Sequence, residues 1–248
     1  MAMHIDKYLK TSEAKKHLNM PVNKLVTEAF FRDPLRRIYR NPNVMLSPAD
    51  GVVLYMHKCI GPNDPIVEVK GKNFTVKELL NDPAYKCDSL VLGIFMTSIS
   101  VHVNRIPTDG YLVEERDTPF IYTHNISMYA LEYEFYNKIG YNKDNLNYLF
   151  CNERKVSTVI RNKEPQEYYL VQVADRDINA IVNWGNDSFL KQGDRFGQIR
   201  WGSQCDIVIP IMDKSIDYDF LVNQFDYVKA GLDPVIRIKN LNENKNML

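Results

Sequence analysis

The bond between Gly202 and Ser203 offers the most chemistry in this sequence. Ser203 places a hydroxyl nucleophile directly after a residue with no Cβ. That leaves the preceding carbonyl open to attack and lets the backbone there take up strain. A serine hydroxyl is a weak nucleophile, so it needs a base to accept its proton and a further group to hold that base in the right tautomer. His102 and Asp50 are the candidates. Asp50 lies in Leu46-Ser47-Pro48-Ala49-Asp50-Gly51, a Pro/Gly turn ahead of the apolar Val52-Val53. His102 lies in Val101-His102-Val103-Asn104-Arg105-Ile106-Pro107-Thr108-Asp109-Gly110. Each has an ordinary structural reading by itself: Gly-Ser is usually a turn, Asp bonds its own backbone in turns, and a strand His is often a hydrogen-bonded, half-buried residue.

The elements that would position these residues are mostly strands. Val52–Tyr55, Ser89–Phe95, Ile99–Asn104, Lys155–Arg161, Tyr168–Ala174, Ala180–Trp184 and Cys205–Ile211 are rich in β-branched and aromatic residues, several of them bounded by turn residues. Alternation along 98–104 puts Ser98, Ser100, His102 and Asn104 on one face and Ile99, Val101 and Val103 on the other. Three helices are expected: 21–32, opened by Pro21; one begun by the capping box Thr75-Val76-Lys77-Glu78; and 126–138. Lys191-Gln192-Gly193-Asp194 and Lys229-Ala230-Gly231 echo each other and predict two similar tight turns. The pattern gives an α+β chain, mainly β, with a β-sandwich or barrel-sandwich-like core and helices toward the N-terminus.

Composition narrows the function. With 31 basic and 31 acidic residues the net charge is zero, which leaves no electrostatic footprint for nucleic acid. Cys59, Cys87, Cys151 and Cys205 are widely spaced and form no C-x-x-C pair, so neither a disulfide framework nor a zinc site is expected, and no metal is called for. No apolar run is long enough to span a bilayer, and Met1 to Met20 lacks the apolar stretch of a signal peptide. A cytoplasmic chain is expected, with peripheral membrane contact if the substrate is a lipid.

Three segments together resemble the phosphatidylserine decarboxylase family, in its short bacterial and archaeal branch. They are Ser47-Pro48-Ala49-Asp50-Gly51, Val101-His102-Val103-Asn104-Arg105-Ile106-Pro107, and Gly197-Gln198-Ile199-Arg200-Trp201-Gly202-Ser203 preceded by Asn152-Glu153-Arg154. The likeness runs from about Phe30 to Ile238. It implies a single domain over 1–248 that cuts itself at Gly202-Ser203 into a β chain of 1–202 and an α chain of 203–248. Ser203 would attack the Gly202 carbonyl, with His102 as base and Asp50 orienting it, and β-elimination and hydrolysis would leave a pyruvoyl group at position 203. That cofactor would form a Schiff base with the amine of phosphatidylserine and serve as electron sink for loss of CO2, with His102 supplying or shuttling protons.

The sequence departs from the family at Ser100, where an Asp is usual, and at Trp201 and Gln204; Arg105, where the long branch has a second His, is normal for the short branch. Segment 111–150 also departs, and it bears on substrate identity. Two further readings stay open: a soluble pyruvoyl-dependent amino-acid decarboxylase, and an uncleaved, non-catalytic homologue. Leu190–Ile199 is also similar to the turns of lipoyl and biotin carrier domains, but no modifiable Lys flanked by Met is present. Self-association as a homo-oligomer is compatible with all of these.

Overall fold

The computed structural model describes residues 1–118, 125–176, 180–185, 187–200 and 202–241. In chain order, β1 (Met3–His4), α1 (Ile5–Tyr8), α2 (Ser12–Leu18) and α3 (Val22–Lys24), which runs on into a π-helical turn Leu25–Ala29, precede the β core. Then come β2 (Val44–Leu46), β3 (Gly51–Cys59), β4 (Pro65–Val69), β5 (Lys72–Thr75), α4 (Val76–Leu80), β6 (Ser89–Met96), β7 (Val103–Arg105), β8 (Gly110–Thr118) and α5 (Tyr129–Asn137). A 3-10 helix, Lys143–Phe150, leads to β9 (Arg154–Ile160), β10 (Glu167–Ala174), β11 (Ile181–Asn183), β12 (Ser188–Leu190) and β13 (Arg195–Ile199). The chain ends with β14 (Ser203–Pro210), β15 (Ile216–Phe220), β16 (Asp226–Val228) and β17 (Pro234–Asn240).

Nine strands form one antiparallel sheet in the order β1-β16-β3-β6-β14-β10-β9-β8-β12. Its central strands are buried on both faces, which explains the near-continuous apolar run Leu90-Val91-Leu92-Gly93-Ile94-Phe95-Met96. Side chains of alternate residues enter two separate cores. Leu92, Ile94, Cys205 and Ile207 pack with Met45, Phe196, Ile199, Tyr218 and Ile236 of two small sheets, β11-β13-β7 and β15-β17-β2. Val91, Phe95, Val171 and Val208 pack with Ile5, Tyr8, Leu79, Leu131 and Leu149 of the helices. The expected mainly-β sandwich with N-terminal helices is found, and no sheet closes into a barrel among the described residues.

Apart from β1, β4 and β5, the strands fall into two matching sets. The sheet order reads the same outward from its central pair: β14, β6, β3, β16 on one side and β10, β9, β8, β12 on the other. The small sheets match in the same sense. Leu46 N–H donates to Pro107 O (2.9 Å) and Arg105 N–H donates to Pro48 O (2.8 Å), a reciprocal pair. The two echoing turns are partners in this arrangement. Gly193 N–H donates to Ile106 O and Gly231 N–H to Ser47 O, both at 2.8 Å. Both glycines have positive φ (84° and 69°), and Ile38 fills the space where their Cβ atoms would stand.

One expected strand is not formed as read. Residues 97–100 make a turn, closed by Ser100 N–H to Thr97 O (2.9 Å) and by Thr97 N–H to Ser100 Oγ (3.1 Å), so β7 begins only at Val103. Ser100, His102 and Asn104 are as buried as Ile99 and Val101, so 100–104 has no solvated polar face, and only the half-buried Ser98 reaches a cavity.

Candidate active site

Ser203 is the first residue of β14, in the middle of the large sheet, opposite Met96 on one side and Ala174 on the other. It is fully buried. Its Oγ donates to Met96 Sδ (3.2 Å), a weak acceptor that leaves the hydroxyl free to exchange partners. Gly202 has φ +38°, and a Cβ built there would stand 2.1 Å from Asp175 Oδ2 and 2.6 Å from Asp175 Cβ. Backbone conformation and space therefore both demand glycine at the position whose carbonyl the hydroxyl must reach.

His102 is completely buried and stacks on Phe30, with ring centroids 3.6 Å apart. Its Nδ1 lies 3.1 Å from Ser100 O, an arrangement that puts the proton on Nδ1 and leaves Nε2 as the basic nitrogen. Nε2 is buried with no hydrogen-bond partner. Burial pushes the imidazole down to about 3, outweighing the Ser100 carbonyl, and the nearby Arg32 guanidinium adds to the depression. His102 is thus neutral at neutral pH, with Nε2 unprotonated and burial opposing its protonation.

Asp50 is placed differently from the triad expectation. Arg36 donates to both its oxygens (2.6 and 2.8 Å), and the Ala230 N–H donates to Oδ1 (2.7 Å). No hydrogen bond joins it to His102 or Ser203 among the described residues. The Ser100 carbonyl holds the imidazole instead. Asp109, the counterpart of Asp50 in the matching half, likewise accepts the Gln192 N–H (2.5 Å). Both aspartates clamp the turn that faces them, and only Asp50 adds an arginine.

Asp175 was not legible as a site residue. It follows Ala174 at the end of β10, and only the pairing of Ala174 with Ser203 brings it to Gly202. Burial pushes its carboxyl up to about 6, against the Met128 N–H that donates to it (2.8 Å), while Glu132 adds repulsion. A cavity of about 150 Å3 opens beside Gly202, lined by Phe30, Ser98, Tyr129, Glu132, Asp175 and Arg176. Glu132 accepts the Ser98 N–H (2.6 Å) across its wall. Trp201 lies outside the described residues.

On the opposite face of β14, Gln204 and Asp206 anchor the strand. Tyr55 Oη donates to Asp206 (2.6 Å), Gln204 Nε2 donates to both Asp206 oxygens (2.8 and 2.9 Å), and Tyr148 Oη donates to Gln204 Oε1 (2.5 Å). Burial pushes the Asp206 carboxyl up to about 7 although these donors oppose it. A carboxyl raised in this way favours folding when protonated, and that contribution is lost as pH rises through about 7. Asp206→Asn should therefore remove up to about one proton from the slope of unfolding free energy against pH between ~4 and ~7. Denaturant titrations of the two proteins across that range provide the check; equal slopes would refute it.

The phosphatidylserine decarboxylase family pattern matches residues 22–235, spanning both sides of Gly202-Ser203. The chain belongs to this family. Among similar proteins, the phosphatidylserine decarboxylase proenzyme of Wolbachia pipientis wMel is 31% identical over 189 residues, 75% of this chain and 66% of that protein. That of Chlorobium phaeobacteroides is 30% identical over 188 residues, 75% of this chain and 69% of its own length. A protein of Methanopyrus kandleri described as an archaetidylserine decarboxylase proenzyme is 28% identical, covering 85% of this chain and 81% of that protein. Phosphatidylserine decarboxylase proenzymes carry a pyruvoyl group made from a serine. The residues present fit such a group: position 203 sits in a sealed strand end behind a glycine that has no room for a side chain. No helix among the described residues is long and apolar enough to cross a membrane.

Proposed function

We propose that this chain is a phosphatidylserine decarboxylase that produces phosphatidylethanolamine after cutting itself between Gly202 and Ser203. Family membership supports the reaction. The observation that carries the self-cleavage is the left-handed Gly202, pressed on Asp175 and followed by a buried serine whose hydroxyl, among the described residues, bonds to a thioether.

The chain's own residues suit the following sequence. Rotation of Ser203 about χ1 frees Oγ from Met96, and the hydroxyl attacks the Gly202 carbonyl while its proton passes to Nε2 of His102. The carbon–nitrogen bond breaks, the released nitrogen takes that proton, and an ester joins residues 202 and 203. Loss of the Ser203 Cα proton expels the Gly202 carboxylate, and addition of water with loss of ammonia leaves a ketone at position 203. Asp50 is a positioning residue: through Arg36 and the Ala230 N–H it fixes the segments beside β2 and β16. A pyruvoyl group at position 203 would supply a carbonyl for the substrate amine and an electron sink for the bond to the departing carboxylate. Pairing with β6 and β10 holds position 203 in place, and the imidazole would shuttle the proton that the substrate α-carbon must take up after CO2 leaves. Phe30 covers the imidazole and excludes water from it.

Intact-mass measurement tests the cleavage. The expected result is two fragments, 1–202 and 203–248, the second blocked at its N-terminus; one unmodified chain would favour the non-catalytic reading. Assay on phosphatidylserine vesicles against free amino acids separates the lipid from the soluble substrate. His102→Ala should slow cleavage by about 10²–10⁴-fold, the range for loss of a general base. With the imidazole titrating at about 3, the His102-dependent rate should show no inflection near the ordinary histidine value of about 6.5.

A further inference from the structure

The two matching halves give the molecule two equivalent ends, and only one contains Ser203. In one half Phe95 pairs with Val52 and Gln204; in the other Ile160 pairs with Tyr111 and Glu167. Continuing one residue along each strand sets Arg161 where the first half has Met96, and Gln166 where it has Ser203. Arg161 N–H donates to Gln166 O (2.8 Å) at this second end. A cavity of about 400 Å3 lies there, larger than the one beside Gly202.

Its lining combines cations with an apolar wall. Arg161 and Lys163 contribute positive charge, while Arg40 on the same lining is paired with Asp194 (3.1 Å); Tyr111, Ile160 and Phe189 contribute exposed apolar surface. Tyr111 and Phe189 meet edge to face, with centroids 5.1 Å apart. Arg161 is buried, and its guanidinium is fixed by the carbonyls of Asp109 (2.8 Å) and Glu164 (2.7 Å). Among the described residues no carboxylate forms an ion pair with it. The one acid in the lining, Asp109, has an oxygen committed to the Gln192 N–H. Burial opposes the charge on Arg161, while Asp109 and Glu164 lie close enough to favour it without pairing with it directly, so an anion entering the cavity would offset the remaining cost. A bare inorganic anion would leave the aromatic wall wet; an anion carrying an acyl chain would cover it.

We propose that this second end is a binding site for an anionic phospholipid, with the phosphate toward Arg161 and Lys163 and an acyl chain along Tyr111 and Phe189. The proposal is independent of whether Ser203 is cut. It is tested on the Ser203→Ala protein, which lacks the means of processing, by calorimetric titration with short-chain phosphatidylglycerol, short-chain phosphatidylcholine and inorganic phosphate. Phosphatidylglycerol should bind at least tenfold more tightly than either of the others. Lys163→Glu and Phe189→Ser, each made in that background, should weaken it at least tenfold. Introduced into the chain with Ser203 intact, both changes should leave the extent of self-cleavage seen by mass unaltered. Equal affinity for phosphatidylcholine, equal affinity for inorganic phosphate, or binding untouched by both substitutions would each overturn the proposal.

Discussion

Ser203→Ala should remain one chain of about 28.9 kDa and make no phosphatidylethanolamine. The change removes the hydroxyl that the proposed acyl shift requires and leaves no side-chain oxygen that could become an ester leaving group. Its cost to the fold should be small, because among the described residues the hydroxyl lost binds nothing stronger than the Met96 thioether. A neutral sulfur acceptor contributes far less than a paired backbone group, so a thermal midpoint close to that of the uncut precursor is expected. Intact mass and product analysis read the outcome together. Cleavage at 202–203 in the alanine variant would refute the serine mechanism outright, and retained decarboxylation without cleavage would refute the pyruvoyl assignment.

Gly202→Ala should be as silent, for a different reason. At φ +38° an L-residue costs about 1–2 kcal/mol. The added methyl would also stand 2.1 Å from Asp175 Oδ2 and 2.6 Å from its Cβ, so the clash cannot be relieved by swinging the carboxylate alone. The backbone at 202 or the end of β10 must shift, and attack by a neighbouring hydroxyl tolerates little displacement; about 1.4 kcal/mol corresponds to a tenfold change in rate. Cleavage should be undetectable over hours. Asp175→Gly in the same chain removes the steric part but leaves the backbone strain, so the double variant should recover part of the rate. If Gly202→Ala alone cuts normally, the conformation at Gly202 has no role in processing. If the double variant is no faster than Gly202→Ala, Asp175 is not the obstacle.

Much of the fold was readable because apolar periodicity is a local property. The strands at 52, 89, 155, 168, 180 and 205 and the capping box at Thr75 stand where their residues put them, give or take a residue or more at the ends. The strand expected at 99–104 was lost to side-chain chemistry: Ser100 bonds back to Thr97, and that turn competes with the ladder. The first helices were missed because Met1 to Met20 looks polar. Their stability comes from tertiary contact, as where Tyr8 stacks on Tyr227 at 3.5 Å. Within the candidate site, Gly202, Ser203, His102 and Asp50 could be singled out only through the family resemblance of the segments that carry them, since each residue type alone has an ordinary structural reading. What each binds could not: Asp175 reaches Gly202 across a strand pair, and Arg36 reaches Asp50 from a segment with no regular structure. The echo of Lys191-Gln192-Gly193 in Lys229-Ala230-Gly231 was visible, but its meaning depends on sheet order, which no local pattern carries.

The place of β14 in the sheet gives the molecule a memory. If the backbone is severed just before that strand, the segment from 203 onward still supplies β14 between β6 and β10, and β15 to β17 against β2 and β3. Nothing lets it slide out short of dismantling both cores. The intact precursor folds as a first-order process in which every contact is intramolecular. A denatured mature protein would have to reassemble from two separate pieces, and its return would depend on concentration. Heating and cooling should thus trace different paths before and after maturation. The lifetime of the working enzyme would be set by how fast it first opens, not by any balance between folded and unfolded forms.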